Sequence, residues 1–235
     1  MLGEGAGVHG ALRDVECTLA PLSEGATLAI ATGLALAGKS VIVQLVDAAG
    51  LQRAGDALAD LASMPSRSAG AFTPTVIVRV PGGTDLRGVP VPVYIAGRES
   101  DAAEQIDAAV ARGGACVLVD DCSGHAPDAV APAPLGALVT LREGASVTVV
   151  ASGSDLPAAL AGADGSDAAV LEVRGPCDLG PAIAATGRLV LVGDIADALG
   201  GLHAAFWTLE APWVTLPRGA DEAAIQQAIQ TVLGA

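Results

Sequence analysis

Aromatic side chains are nearly absent from this sequence. Phe72, Tyr94, Phe206, Trp207 and Trp213 are the only five in 235 residues. A core made from such a chain has to be packed with Ala, Val and Leu. Small side chains let helices approach a sheet closely, although each one buries less apolar area. Basic residues are scarce as well: 12 Lys and Arg stand against 26 Asp and Glu, for a net charge of −14. Nucleic acid and anionic membrane surfaces both need Lys and Arg for recognition, so the composition argues against both as partners. No apolar run reaches the ~20 residues that span a bilayer. The longest, Ala26 to Gly38, is interrupted by Thr and Gly. No basic stretch followed by an apolar one opens the chain, so no secretory signal is expected. The four cysteines, Cys17, Cys116, Cys122 and Cys177, form no C-x-x-C pair. His9, His125 and His203 are not at zinc-ligand spacing either. Reduced thiols in a cytoplasmic protein are the expectation, with Cys116 in the apolar run "ACVLV" as core.

What is present is apolar: 51% of residues are hydrophobic. Short Val- and Ile-rich runs alternate with Ala-rich stretches at helical spacing. The strands expected are Val41–Val46, Thr75–Val80, Val91–Ala96, Cys116–Val119, Val147–Ala151, Ala169–Val173, Arg188–Val192 and Trp213–Leu216. The helices expected are Gly25–Ala37, Gln52–Ala62, Ser100–Ala111, Leu156–Ala161, Leu179–Ala184 and Asp221–Leu233. Continuous apolar strands separated by helices predict an α/β fold with mainly parallel sheets covered by helices. "CSGHAPDAVAPAPLGA" has no apolar period and reads as a linker. The domains expected are therefore residues 1–122 and 137–235, joined by 123–136. "RGG" at Arg112–Gly114 is a helix stop. Asp221 and Glu222 suit a helix N-terminus.

Glu24 stands alone. It precedes a segment with no other charge until Lys39. One reading is local: an acid beside Ser23 at the start of a helix accepts backbone N–H bonds. "VPGG" followed by "TDLRG" reads as a turn rather than a phosphate loop. "SGSD" at Ser152–Asp155 reads as a helix cap after a strand. The strands of the second domain carry no evident cluster of titratable groups, and Trp207 and Trp213 read as core or interface.

A second reading of Glu24 comes from the ordered text around it. "LAPLSEGATLAIATGLALAGKSVIVQ", "TPTVIVRVPGG", "VPVYIAGRESDAAEQIDAAVARGGACVLVDD", "PLGALVTLREGASVTVVASG", "CDLGPAIAATGRLVLVGD" and "LEAPWVTLP" follow one another along most of the chain. The series resembles the β subunits of thiamine-diphosphate-dependent 2-oxoacid dehydrogenase E1 components. The resemblance implies a transketolase-like pyrimidine-binding domain followed by a transketolase C-terminal-like domain. It also implies that Glu24 is the catalytic acid beside N1′ of the cofactor's aminopyrimidine. Leu22 of the same P-L-S-E would contact the cofactor with it. Such an acid should be desolvated, with a raised pKa.

Four departures bear on that expectation. The segment that usually precedes "LGEGAGVHGALRDVE" is missing. "LVDAAGLQRAGDALAD" has no Phe or Tyr where the family carries aromatics. The loop with the family's H-S-Q motif is absent, and no His of this chain aligns with it. The segment after Gly193 is short, with Asp194 at the position of the family acid. No G-D-G…N motif for diphosphate and Mg²⁺ occurs, and no metal ligand is expected here. The resemblance assigns that motif to an E1α-like partner in a heterotetramer, in which the β-like chain also self-associates. The activity implied is oxidoreductase or transferase chemistry on a 2-oxoacid, with a lipoyl or acyl carrier protein as a candidate acceptor. A non-catalytic β-like scaffold for an α partner is the alternative.

Overall fold

A computed structural model describes residues 23–97, 99–121, 135–136, 138–193 and 212–234, with the backbone alone for 99–101. Leu22, Asp194, Trp207, Cys17, Cys122 and all three histidines lie outside the described residues, as does nearly all of the expected linker. The chain divides into two compact units, Met1–Asp121 and Cys122–Ala235.

The first unit contains α1 (Glu24–Leu36), β1 (Val41–Gln44), α2 (Gly50–Arg53), α3 (Gly55–Arg67), β2 (Val76–Pro81), β3 (Val93–Ala96), α4 (Glu99–Arg112) and β4 (Ala115–Asp120). Its sheet has the order β1-β2-β4-β3 and is parallel throughout. Val41 pairs with Val76, Ile77 with Cys116 and Tyr94 with Leu118. The path β1–α3–β2 steps across the sheet one way and β3–α4–β4 steps the other. Right-handed crossovers therefore put α3 and α4 on opposite faces. α1 packs on β1 and β2 and against α3. The strands are buried along both faces, as a parallel sheet between helices requires. Cys116 is in this core, and burial pushes its thiol pKa up.

The second unit contains β5 (Leu138–Arg142), β6 (Val147–Ala151), a 3₁₀ turn (Gly153–Asp155), α5 (Leu156–Gly162), β7 (Ala168–Val173), α6 (Gly180–Thr186), β8 (Leu189–Val192), β9 (Trp213–Leu216) and α7 (Glu222–Leu233). The strand order is β5-β7-β6-β8-β9, parallel except for β5. The two-residue alternation of each strand divides the core. Val147, Val149, Val170, Val190 and Val192 face Leu156, Ile225, Ile229 and Val232. Val150, Leu171, Leu189 and Leu191 face Leu179 and Ile183. Asp221 caps α7 by accepting from Ala224 N–H at 2.9 Å.

Several element boundaries differ from the sequence reading. β5 was not expected: it is an antiparallel edge strand, only partly buried, and lacks a continuous apolar run. The expected helix Gln52–Ala62 is two helices broken at Ala54, and the second continues through Pro65 to Arg67. β1 ends at Gln44 instead of Val46, although Leu45 N–H still bonds Arg79 O at 2.9 Å. "RGG" does stop α4: Gly113 and Gly114 both have positive φ, and Gly113 N–H closes on Ala109 O. Trp213 is 46% exposed on β9, which removes the core reading for it. No helix among the described residues is long and apolar enough to cross a membrane.

Close approach of backbone to backbone makes one glycine obligatory. A Cβ on Gly144 would meet Ala168 C at 2.3 Å and Ala169 N at 2.4 Å. Neither atom can rotate away, so Gly144→Ala should destabilise the chain by about 1–3 kcal/mol. Urea unfolding should show a lower midpoint with an unchanged slope; an unchanged midpoint would mean that β5 and β7 are not held in this register.

Candidate functional site

α1 reverses direction into β1, so its N-terminus comes to the carboxyl end of that strand. In open parallel sheets this is the edge where ligands bind. Ser23 Oγ accepts from Ala26 N–H at 3.4 Å, a long cap bond. Glu24 is the first helical residue, where the helix dipole favours an acid.

Glu24 is engaged by a residue that follows β1 in the chain, on a helix packed against α1. Arg53, the last residue of α2, donates from Nε to Glu24 Oε1 at 2.9 Å, and its Nη2 reaches the same oxygen. That Nη2 also donates to Asp47 Oδ2 at 2.7 Å. Asp47 is fixed in turn, because its Oδ1 accepts from Ala49 N–H at 2.9 Å. The result is one guanidinium between two carboxylates at the edge of the sheet. The side chains are part-exposed, 26% for Glu24 and 46% for Arg53.

This arrangement corrects the expectation of a desolvated acid. Glu24 is held below its ordinary pKa, first by the Arg53 hydrogen bonds and then by a backbone N–H. Asp47 is lowered mainly by Arg53 as well, and Arg53 is raised by both acids. Glu24 is therefore a carboxylate, not a shared proton, while Arg53 holds it. Neither Arg53 nor Asp47 was legible as a partner, since Arg53 lies 29 positions from Glu24.

A second charged pair lies on the same sheet. Arg79 of β2 is 2% exposed, and its Nη2 meets Asp120 Oδ2 of β4 at 2.6 Å. Arg79 Nε and Nη1 have no hydrogen-bond partner among the described residues. Next to this pair, a Cβ on Gly82 would meet Asp121 Oδ1 at 2.5 Å. Gly82 therefore gives the turn after β2 its close approach to β4. Residues 81–88 form a turn, with Thr84 Oγ1 donating to Pro81 O at 2.7 Å. Arg79 could have been found: a charge inside the apolar run "VIVRVP" has to be paired when the strand is buried.

The second unit adds one buried pair and corrects one expectation. A buried ion pair lies at the end of β7, where Glu172 meets Arg174 just after the strand at 2.9 Å and both are 1% exposed. Ser152–Asp155 is not a simple cap. Asp155 is buried, accepts from Gly219 N–H at 2.8 Å and lies against Gly193, while Arg218 Nη2 donates to Ser154 Oγ at 3.1 Å. These bonds tie the turn after β6 to the turn after β9. No group of three or more His, Cys, Asp or Glu among the described residues could hold a metal ion.

No protein-family model matches the sequence, and no curated protein does. Solved structures do match. A chain described as split-gene transketolase, in an inactive β4 tetramer, is 17% identical over 99% of this chain and 91% of that one, with a TM-score of 0.76. A 2-oxoglutarate:ferredoxin oxidoreductase from Magnetococcus marinus is 11% identical over 93% of this chain and 57% of that one, with a TM-score of 0.57. A transketolase mutant from Pichia stipitis is 13% identical over 89% of this chain and 34% of that one, with a TM-score of 0.53. The fold is α/β and transketolase-like.

The ion pairs make stability depend on pH in a defined direction. A carboxyl whose folded pKa is depressed stabilises above its unfolded pKa, and the contribution is lost as pH falls through the folded value. Arg53→Met should therefore unfold at lower urea than the wild type when the pH is above 4.5, the ordinary value for Glu24. The two midpoints should converge as the pH falls below 3.8, the ordinary value for Asp47. A difference that persists unchanged in acid would assign the effect to packing of the Arg53 stem.

Proposed function

We propose that this chain is the β-type subunit of a two-component, thiamine-diphosphate-dependent enzyme acting on a 2-oxoacid. The observation that carries the reading is the end-to-end likeness to a separately encoded transketolase chain. It is supported by Glu24 standing at the carboxyl edge of the first sheet. The cofactor supplies the electron sink for decarboxylation and for acyl or ketol transfer. An E1α-like partner would bring the diphosphate and Mg²⁺ motif, in the cytoplasm. A lipoyl or acyl carrier protein is a candidate acceptor.

The residues present fit the cofactor in part. Glu24 is the right group at the right edge for a ring nitrogen, and Leu22 precedes it in the chain. Arg53, however, occupies the carboxylate that the ring would use. The segment after β1 carries no aromatic to stack on a ring: Val46 is exposed and Leu51 is buried in the core. Within this reading Glu24 has one task, to hold a proton at N1′ once Arg53 has released it. The occupied carboxylate favours a second reading, a non-catalytic β-like scaffold that assembles an α partner.

Glu24→Gln separates the two. With a G-D-G…N partner present, the variant should still assemble, because Ser23 caps the helix without Glu24. Exchange of the cofactor's C2 proton, followed by NMR in D₂O, should fall by roughly 10²–10⁴-fold, the range of a general acid–base group. Equal exchange rates would reject Glu24 as the activating acid. No cofactor binding by either protein would favour the scaffold.

Self-association belongs to the same proposal. α1 is apolar all round, which is the pattern of a helix that is covered on every side. Its outer face exposes Ile30, Leu34 and Leu36 at 43%, 42% and 45%, beside Ala29, Gly33 and Ala37. A second copy of this chain is the occupant we assign, in line with the four β chains of the similar transketolase assembly. Light scattering should give a dimer or higher species for the wild type and a monomer for Leu34→Glu. A monomeric wild type would remove this part of the proposal.

A further inference from the structure

Arg53 has no place in the sequence resemblance and is not explained by the fold. It is half-exposed and spans two part-exposed acids. Its bonds to Glu24 and Asp47 are not equivalent in setting. Glu24 sits at the end of a helix, where backbone N–H groups can satisfy it without Arg53. Asp47 lies six positions before Arg53 on the same connection, from β1 to α2, and its Oδ1 is already anchored to Ala49 N–H. A guanidinium that leaves Glu24 therefore keeps an acid within reach, and one that leaves Asp47 does not need to move.

We propose that Arg53 is a displaceable internal counter-ion for Glu24, and that Asp47 retains it when Glu24 takes up a proton from solvent and binds a neutral aminopyrimidine ring. Arg53 and Asp47 are then positioning residues. They decide when Glu24 is open to a ligand, and they do no chemistry themselves. The inference rests on the proposed cofactor reading, which makes Glu24 the ring-binding acid. The energetics suit a displaceable contact. An exposed ion pair contributes little, screened by water and salt, so a ring nitrogen that accepts from protonated Glu24 can compete with it. A buried guanidinium such as Arg79 could not be exchanged in this way, because its removal would leave a charge without solvent. The exchange moves one proton: Glu24, Asp47 and Arg53 sum to one negative charge while Arg53 is on Glu24, and to zero once Glu24 has taken a proton from solvent to share with the ring nitrogen.

The test uses the full chain and the neutral ring 4-amino-2-methylpyrimidine, without thiazolium or phosphate, at a pH where the ring is uncharged. A neutral probe removes bulk charge as a cause of any change. Binding is followed by the chemical shift of the Glu24 carboxyl carbon, and the same signal gives the Glu24 pKa in the absence of ring. Arg53 and Asp47 are the charged groups that act on Glu24, so two variants cover them.

Arg53→Met should raise the Glu24 pKa and tighten ring binding about two- to fivefold, the factor that corresponds to an exposed ion pair. Asp47→Asn should weaken ring binding, since Arg53 then has only Glu24. Raising the salt concentration should tighten binding to the wild type and leave Arg53→Met unchanged, because only the wild type has the pair to screen. An unchanged Glu24 pKa in Arg53→Met would overturn the proposal, as the pair would not exist in solution. A raised pKa with equal ring affinity in both proteins would overturn it while leaving the cofactor reading intact. Ring binding by none of the proteins would instead remove the cofactor reading, and this inference with it.

Discussion

A parallel strand between two layers of helix has no face left for water. That constraint governs this protein. Four of the five strands in the second sheet and all four in the first are parallel. Their side chains have to be apolar on both faces, and with almost no aromatics available the chain meets this with Val, Leu, Ile and Ala. Small residues then set the distances. Gly162 lies against Ile225, and Gly144 lies against the backbone of Ala168, at separations where no Cβ fits.

The same constraint decides where charge can be. Charges inside the layers occur as pairs, Arg79 with Asp120 and Glu172 with Arg174. Two further clusters lie at the carboxyl ends of strands, where the sheet stops. Glu24, Asp47 and Arg53 form one such cluster. Ser154, Asp155 and Arg218 form the counterpart in the second unit, where a buried acid joins two turns through a backbone N–H. The first cluster is half-open to solvent and the second is not. An exposed ion pair can be exchanged for another ligand, and a buried one holds its loops in place. That contrast is why functional proposals gather at Glu24 while Asp155 reads as architecture.

Much of the fold was legible because its signals are local. Runs such as "VIVRVP" and "VLVD" are long enough and apolar enough to announce buried strands, and the Ala-rich stretches between them carry helical spacing. Asp221 and "RGG" marked helix ends through bonds made within a few residues. β5 escaped notice because an antiparallel edge strand needs no continuous apolar run. The break at Ala54 escaped because Ala is the residue least expected to end a helix. The buried Glu172–Arg174 pair was visible in "VLEVR" as charge inside a strand, yet its pairing two residues apart needed the structure.

Glu24 shows where sequence stops. Its type, its isolation and its place before an apolar helix are properties of the text, and they determine that an acid stands at the edge of a sheet. Its protonation is not such a property. That depends on which group comes within three ångströms, and Arg53 comes from 29 positions away, beyond β1 in the chain. Local sequence determines secondary structure and burial, because hydrogen bonds and hydrophobic alternation act over a few residues. Only the tertiary structure decided which way the pKa of the acid moves, because electrostatic pairing acts between residues that the fold alone makes neighbours.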